Sequence, residues 1–298
     1  QGSYKMGYDT SIPETAACYA TATADCKMQP VPPGIDSQHK TKILGQGWNS
    51  GCKNPPILWG AKGEYAVVDL TGSSNTDVEC LEITDHSSCI INHCSVQGAT
   101  CIPAQTDMCV AGDDFANNGI IASDASGLSL ANINIHGVYE GVRSGRLTNF
   151  SATNLRLWAN SFAGWDGDIR NGQSGVDTSN YGQIYFNNLV VGWSGCSERW
   201  PSSTIYGCWD QNDGGYGDGL GTGPTQGHWV FINSKFQNNV SDGLDLLYHS
   251  NLDDIYIENF ISEGNAGNQL KVSGPVVIKN ALLIGTCAEP WSSFPPNN

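Results

Sequence analysis

From about residue 128 onward, apolar residues alternate with polar ones in short stretches, and one asparagine interrupts each stretch. A typical copy has Leu128 and Leu130 before Asn132, and Ile133 and Ile135 after it. Alternation with a period of two predicts strands, and the change of phase at the asparagine predicts a bend between two short strands. The interrupting residues are Asn132, Asn154, Asn188, Asn233, Asn259 and Asn280.

A second landmark follows each asparagine after a variable gap, and a third short strand begins there. It is a polar residue that precedes glycine in all copies but the last: Glu140-Gly141, Asp166-Gly167, Asp218-Gly219, Asp242-Gly243 and Asn268-Gln269. This constant order predicts an all-β fold, a parallel β-helix with three strands in each coil of roughly 22 to 26 residues. The aligned asparagines would stack at about 4.8 Å and satisfy backbone groups inside the bend.

On these six asparagines the chain resembles the pectate-lyase-like superfamily of right-handed parallel β-helix proteins, over roughly residues 64–287. The resemblance implies a functional cleft on the strand that follows the third turn. It does not imply one activity, because that superfamily includes lyases, hydrolases, esterases and non-catalytic adhesins. An earlier coil at 76–83 fits the same frame with Cys80 in the asparagine position. We therefore expect Cys80 to face inward as an unpaired thiol.

Both ends of the chain lack the repeat. Residues 1–63 are rich in proline, glycine and cysteine, and we expect them to form an N-terminal cap that covers the first coil. Residues 288–298 form a short tail that runs off the last coil. With the β-helix at 64–287, these segments make a single domain of 298 residues.

The eleven cysteines predict disulfides and a secreted, extracellular protein. Neighbours in the sequence that suggest local bridges are Cys18/Cys26, Cys89/Cys94, Cys101/Cys109 and Cys196/Cys208. The net charge of −15 argues against nucleic acid as a partner, and no apolar run is long enough for membrane insertion. A polysaccharide is the expected partner, either neutral or anionic and bridged by Ca²⁺; the oligomeric state is left open.

Candidate chemistry lies on the third strand of each coil. Alternation places Val142, Ile169, Leu244, Leu246, Leu270 and Val272 inward, so the charged residues between them should line an outer groove. We expect Asp168, Asp218, Asp245 and Arg170 to be catalytic, and Arg143 and Lys271 to bind substrate. Asp166 and Asp242 are candidate ligands for Ca²⁺, although an acid before glycine is also typical of a turn residue.

Two long insertions are expected to form the rims of this groove. One contains Trp193, Trp200 and Trp209 with the pair Cys196/Cys208, and its aromatic rings would stack on sugar faces. The other, at 171–177, would form the opposite rim.

Three functions fit this pattern. An inverting glycoside hydrolase would use Asp168 with Asp218 or Asp245, across roughly 6.5–9.5 Å. A calcium-assisted polysaccharide lyase would use Arg170 or Lys271 as its base. The alternative from another class is a non-catalytic glycan-binding adhesin or surface structural protein.

Overall fold

The computed structural model describes residues 2–6, 30–60, 63–89, 109, 113–169, 179–208 and 217–285. Apart from a short 3₁₀ turn at Trp48–Ser50, the regular structure in these ranges is β. The strands are β1 (Ser3–Met6), β2 (Thr41–Leu44), β3 (Ile57–Gly60), β4 (Glu64–Asp69), β5 (Thr76–Thr84), β6 (Ala116–Ser123), β7 (Ser129–His136), β8 (Glu140–Gly145), β9 (Thr148–Trp158), β10 (Ala163–Asp166), β11 (Tyr181–Gly192), β12 (Cys196–Arg199), β13 (Ser202–Cys208), β14 (Leu220–Gly221), β15 (His228–Ile232), β16 (Lys235–Gln237), β17 (Leu244–Leu246), β18 (Ile255–Glu263), β19 (Leu270–Val272) and β20 (Val276–Ile284).

The chain alternates between two long parallel sheets. In the first sheet, β1, β3, β5, β7, β9, β11, β15 and β18 are consecutive neighbours; β2 pairs with β5, β20 with β18, and β16 with β11 and β18. In the second sheet the order is β4-β6-β8-β10-β14-β17-β19. From β4 onward, strands of the two sheets alternate along the chain, apart from the separate β12–β13 hairpin and the consecutive strands β15 and β16 of the first sheet. This alternation defines a parallel β-helix with the right-handed coil that parallel crossovers adopt. The predicted fold class is confirmed.

The long strands of the first sheet bend at the predicted asparagines. All six have positive φ, between 51° and 58°. Asparagine tolerates this left-handed conformation better than most residues, so its recurrence marks the bend. The two segments around each bend and the strand of the second sheet give three strand segments per coil.

These asparagines form a ladder on the outer surface. Asn154 donates to Asn132, Asn188 to Asn154 and Asn259 to Asn233, at 2.8–3.0 Å. All are exposed except Asn132, which is half-buried. The expectation that they satisfy backbone groups inside the bend is therefore wrong: their amides bond mainly to one another in solvent.

A buried ladder lies six residues further along each coil and was not foreseen. It consists of Asn160, Ser194, Asn239 and Asn265, each at most 1% exposed. Asn239 Nδ2 donates to Asn265 Oδ1 at 2.7 Å, and the Ser194 backbone N–H donates to Asn239 Oδ1 at 3.0 Å. A buried amide needs such a partner, so this inner ladder stabilises the second bend of the coil.

The core is a stack of apolar side chains between the sheets. Phe186 and Phe231 stack with centroids 5.0 Å apart, and Phe150 and Trp229 extend the column. Burying one such ring stabilises the fold by about 1.5–3 kcal/mol. Val142, Leu244 and Leu246 face this core as predicted, and Leu270 and Val272 pack against its edge. Ile169 does not: it lies in a small separate cluster with Ala66 and Ile121.

The cysteines pair differently from the expectation. Cys80 occupies the ladder position beside Asn132, but it bonds to Cys52 and is buried beneath the loop between β2 and β3. The prediction of an inward, unpaired thiol at Cys80 is wrong. Cys89 bonds to Cys109 rather than to Cys94, so the local pairing of Cys101 with Cys109 is also wrong, whereas Cys196–Cys208 is confirmed. Cys18 and Cys26 lie outside the described residues.

The N-terminal segment also contributes strands. β2 and β3 both pair in parallel with β5, and β1 pairs with β3. β1, β2 and β3 therefore extend the first sheet beyond β5.

Candidate functional site

The outward column of the second sheet brings charged residues from successive coils side by side. Arg143 pairs with Asp166, Asp166 with Gly221, Gly221 with Asp245, and Asp245 with Lys271. The dipeptide Asp166-Gly167 suggested a turn equivalent to Asp218-Gly219, but this alignment is wrong. Trp165 is the residue in register with Leu220, so the position of Asp218 is taken by Ala163 in β10.

A pocket of about 240 Å³ opens on this face. It is lined by Asp166, Asp168, Asp218, Asp245 and Lys271, together with Trp165, Gly221, Thr222, Gly223 and Tyr248. A Cβ at position 221 would lie 2.9 Å from Asp218 Oδ2, so glycine keeps space in front of that carboxylate. The structure therefore brings five of the charged residues chosen from the sequence into one pocket.

Three buried carboxylates lie close together at this site, two of them in the pocket lining. Oxygen atoms of Asp218, Asp242 and Asp245 lie within 4.8 Å of one another, and the residues are 3%, 6% and 9% exposed. Lys271 reaches across from the next coil, with Nζ 2.9 Å from Asp242 Oδ2 and 2.7 Å from Asp245 Oδ2. The ammonium thus takes the place that a cation would have beside two of these acids.

Burial and hydrogen bonding separate the protonation states of these groups. Burial raises the pKa of Asp218 to about 7, although Ser241 and the Asp242 backbone N–H partly oppose the shift. For Asp242, burial is outweighed by hydrogen bonds from the Asn268 backbone and from Lys271, which lower its pKa. Burial alone would lower the pKa of Lys271, but its bonds to Asp245 and Asp242 raise it above the usual value. Near neutral pH, Asp218 is therefore poised to titrate beside an ionised Asp242 and a charged Lys271.

A second acidic group lies at the other end of the same face. Arg143 Nε is 3.5 Å from Glu140 Oε2 and 3.8 Å from Asp166 Oδ2. Burial raises the pKa of Glu140 to about 7 and that of Asp166 well above its ordinary value. The backbone N–H of Asp168 donates to Asp166 Oδ1 at 3.1 Å. Arg143 is thus paired with Glu140, which is not part of the pocket lining, and with Asp166, which is.

The aromatic insertion lies over the other sheet. Trp200 stacks on His86 with centroids 3.8 Å apart, and its backbone N–H donates to Ser87 at 3.2 Å. Trp193 contacts Trp158 of β9 edge to face. For the described part of the insertion, with Trp193 and Trp200, the expectation of a rim beside the acidic groove is wrong, because the β12–β13 hairpin folds against the first sheet. Arg170, Trp209 and the segment 171–177 lie outside the described residues.

The three carboxylates fit a hard divalent cation. Ca²⁺ takes oxygen ligands, and Asp218, Asp242 and Asp245 offer them from two adjacent coils. Cys89, Cys109 and Asp113 also lie close together, but their two sulfur atoms form a disulfide and supply no thiolate.

Sequence reasoning missed the supporting residues of the pocket. Asn268 binds Asp242 through its side-chain amide at 2.9 Å, and Thr222 and Tyr248 line the pocket. The sequence did place Asn268 at the strand entrance, which was the available signal for its position.

Comparison with known proteins gives little beyond the fold. No family model matches the chain, and no curated protein matches it. Among solved structures, the crystal structure of pectate lyase Pel9A matches with 13% sequence identity and a TM-score of 0.46. The match covers 94% of this chain and 68% of that one. A match at this identity and TM-score carries no conclusion about activity or substrate. In the described ranges, no helix has the length and hydrophobicity needed to cross a membrane.

Proposed function

We propose that the protein is a secreted polysaccharide lyase that cleaves a uronate-containing polysaccharide by β-elimination. In this proposal Lys271 is the base, and Asp218, Asp242 and Asp245 hold Ca²⁺. The observation that carries it is the contact of the Lys271 ammonium with two of three clustered, buried carboxylates. The three disulfides among the described residues support an oxidising, extracellular environment.

The reaction needs a base beside a carbon acid. The base removes the proton on the carbon next to the uronate carboxyl group, the bond to the glycosidic oxygen at the β-carbon breaks, and a carbon–carbon double bond forms. The leaving oxygen takes a proton from water and becomes the hydroxyl group of a new reducing end. Bound Ca²⁺ would neutralise the uronate carboxylate and make the neighbouring proton more acidic.

Lys271 must lose its proton before it can act as this base. Its bonds to Asp242 and Asp245 hold its pKa above the usual value, so the side chain is stored as an ammonium. A divalent cation held by these carboxylates would take both partners from the ammonium and place a positive charge beside it. Both changes would favour the neutral amine of Lys271.

Glycoside hydrolysis is the second candidate. Asp218, with its pKa near 7, is suited to donate a proton to a glycosidic oxygen. The carboxylates clustered with it lie within 4.8 Å, which is closer than the roughly 6.5–9.5 Å of an inverting pair, so Asp168 would have to be its partner in that mechanism. The contact between Lys271 and the acids also has no role in that mechanism, so lyase chemistry is better supported. A non-catalytic glycan-binding protein is the third possibility.

The test is incubation with polygalacturonate, alginate and uronate-containing glycosaminoglycans, with Ca²⁺ or with a chelator. A lyase releases one unsaturated, ultraviolet-absorbing end for each new reducing end. Reducing ends without absorbance would indicate a hydrolase, and neither signal, with retention on the polymer, would indicate a binding protein. Lys271→Met should abolish the absorbance. Lys235→Met is the matched control, because Lys235 pairs with Glu263 at 2.7 Å on the first sheet.

A further inference from the structure

A second polar pocket lies on the first sheet, beneath the hairpin formed by β12 and β13. Its volume is about 280 Å³, and its lining includes Glu82, Asn134, His136, Arg156, Trp158 and Glu198. The strand register explains the grouping. Glu82, Asn134 and Arg156 are neighbours on β5, β7 and β9, and His136 pairs with Trp158 two residues further along. Glu198 comes from the hairpin, which the Cys196–Cys208 disulfide closes.

An imidazolium held between two carboxylates fixes the hairpin to the sheet. His136 Nε2 lies 3.2 Å from Glu82 Oε1, and His136 Nδ1 is in close contact with Glu198 Oε1. Burial would lower the pKa of His136, but the hydrogen bonds to Glu198 and Glu82 raise it to about 9. Because the carboxylates approach opposite ring nitrogens, His136 cannot share one metal ion with both of them.

Arg156 supplies donors on the other side of the pocket. Its guanidinium lies 4.1 Å from the centroid of the Trp158 ring, and Nη1 donates to Asn134 Oδ1 at 3.1 Å. With Arg156 and the imidazolium balancing Glu82 and Glu198, the group is electrically neutral. The pocket therefore favours neither an anion nor a cation.

One atom in this pocket has no protein partner. Glu198 is only 8% exposed, and its Oε2 is buried without a hydrogen-bond partner among the described residues. A carboxylate oxygen that has lost water needs a donor. Glu198 lines the pocket, so a ligand bound there is a candidate source of the missing donor.

We propose that this pocket binds a neutral sugar residue of a polysaccharide, with hydroxyl groups that donate to Glu198 and accept from Arg156. A hydroxyl group both donates and accepts, which matches the mixed lining. Trp158 adds apolar surface to the lining, and Arg156 covers one face of its ring. A uronate would meet two carboxylates here, whereas the acidic pocket on the second sheet is suited to a cation. The proposal does not depend on lyase activity.

Calorimetric titration of the full chain with neutral hexasaccharides tests it, using β-1,4-linked gluco-, galacto- and manno-oligosaccharides. At least one should bind saturably, and Glu198→Gln and Arg156→Ala should each weaken it by about tenfold or more. Arg156→Ala leaves the His136 ion pairs in place, so it reports on binding even if Glu198→Gln loosens the hairpin. Lys235→Met and Lys271→Met should change the affinity less than about twofold.

Three outcomes would overturn the proposal: no neutral oligosaccharide binds the wild-type protein, Arg156→Ala binds as tightly as wild type, or Lys271→Met loses binding in parallel. The last would place the sugar in the acidic pocket instead. Absence of uronate cleavage refutes the lyase and leaves this titration unaffected, so the two failures are distinguishable.

Discussion

Replacing Asn239 by alanine should destabilise the β-helix strongly, because Asn239 belongs to the buried ladder. Its Oδ1 accepts the Ser194 backbone N–H at 3.0 Å and its Nδ2 donates to Asn265 at 2.7 Å. Asn239→Ala leaves the buried Ser194 N–H without a partner and removes one side-chain bond. An unpaired buried donor costs about 1–3 kcal/mol and a lost bond about 0.5–1.5 kcal/mol, so we expect a loss of roughly 2–4 kcal/mol.

Asn233 is the matched comparison, because it occupies the exposed ladder one bend earlier in the same coil. Its φ of 52° is left-handed, so alanine there should cost about 1–2 kcal/mol through the backbone. Glycine adopts this conformation freely, and Asn233→Gly should restore most of that loss. Asn239 is not among the residues with positive φ. Asn239→Gly should therefore be at least as damaging as Asn239→Ala.

Urea unfolding followed by far-ultraviolet circular dichroism measures these differences as shifts of the midpoint. The expected order of stability is wild type, Asn233→Gly, Asn233→Ala and then both Asn239 variants. An unchanged midpoint for Asn239→Ala, or equal losses for glycine at the two positions, would refute the distinction between an inner and an outer ladder.

Three further predictions follow from the site and the disulfides. Lys271→Met and Asp245→Asn should each lower turnover of a uronate polymer by about 10²-fold or more, and retention of full activity by both would refute the assignment. Because the pKa of Asp218 is raised to about 7, the folded state keeps a proton that the unfolded state releases. The free energy of unfolding should therefore fall as pH rises from about 4 to about 7, and Asp218→Asn should flatten that fall. Added Ca²⁺ should stabilise the protein most at the alkaline end of this range. Unfolding midpoints measured with and without chelator check both expectations. Cys52→Ser removes the disulfide to Cys80, whose cysteines are 28 residues apart, and should lower the free energy of unfolding by about 2–4 kcal/mol in the same assay. An unchanged midpoint would contradict this prediction.

The coil repeat was predictable because it depends on local chemistry. Each bend requires a residue that tolerates positive φ, and each strand requires alternation, so Asn132 to Asn280 reveal the period directly. The inner ladder was harder to detect. Val138 and Ser194 stand at two of its positions, so the amide pattern is interrupted although the spacing of six residues is constant.

The wrong predictions concern features that depend on contacts between segments far apart in the sequence. Asp166-Gly167 resembles the other strand entrances, but β10 begins at Ala163, where Gly164 takes the close approach to the Gly219 carbonyl. The partner of Cys80 depends on how the loop between β2 and β3 folds back. An insertion in a solenoid can fold over either sheet, and nothing local to Trp200 indicated the sheet that it covers.

The acidic pocket shows how a regular fold produces one distinctive site. Parallel coils lie about 4.8 Å apart, so a position repeated in successive coils becomes a column of neighbouring side chains. In the outward column, Arg143 and Asp166 stand at one end and Asp245 and Lys271 at the other, with Gly221 between them. Glycine at that point leaves a gap beside Asp218, and the side chains of Asp166, Asp245 and Lys271 line this gap. The core positions in register with Leu220, which are Ile120, Val142, Trp165, Leu244 and Leu270, are all apolar, so the architecture is insensitive to these differences. The chemistry therefore depends on which residue each coil contributes to the outward column, which is why a β-helix can keep its fold while its function changes.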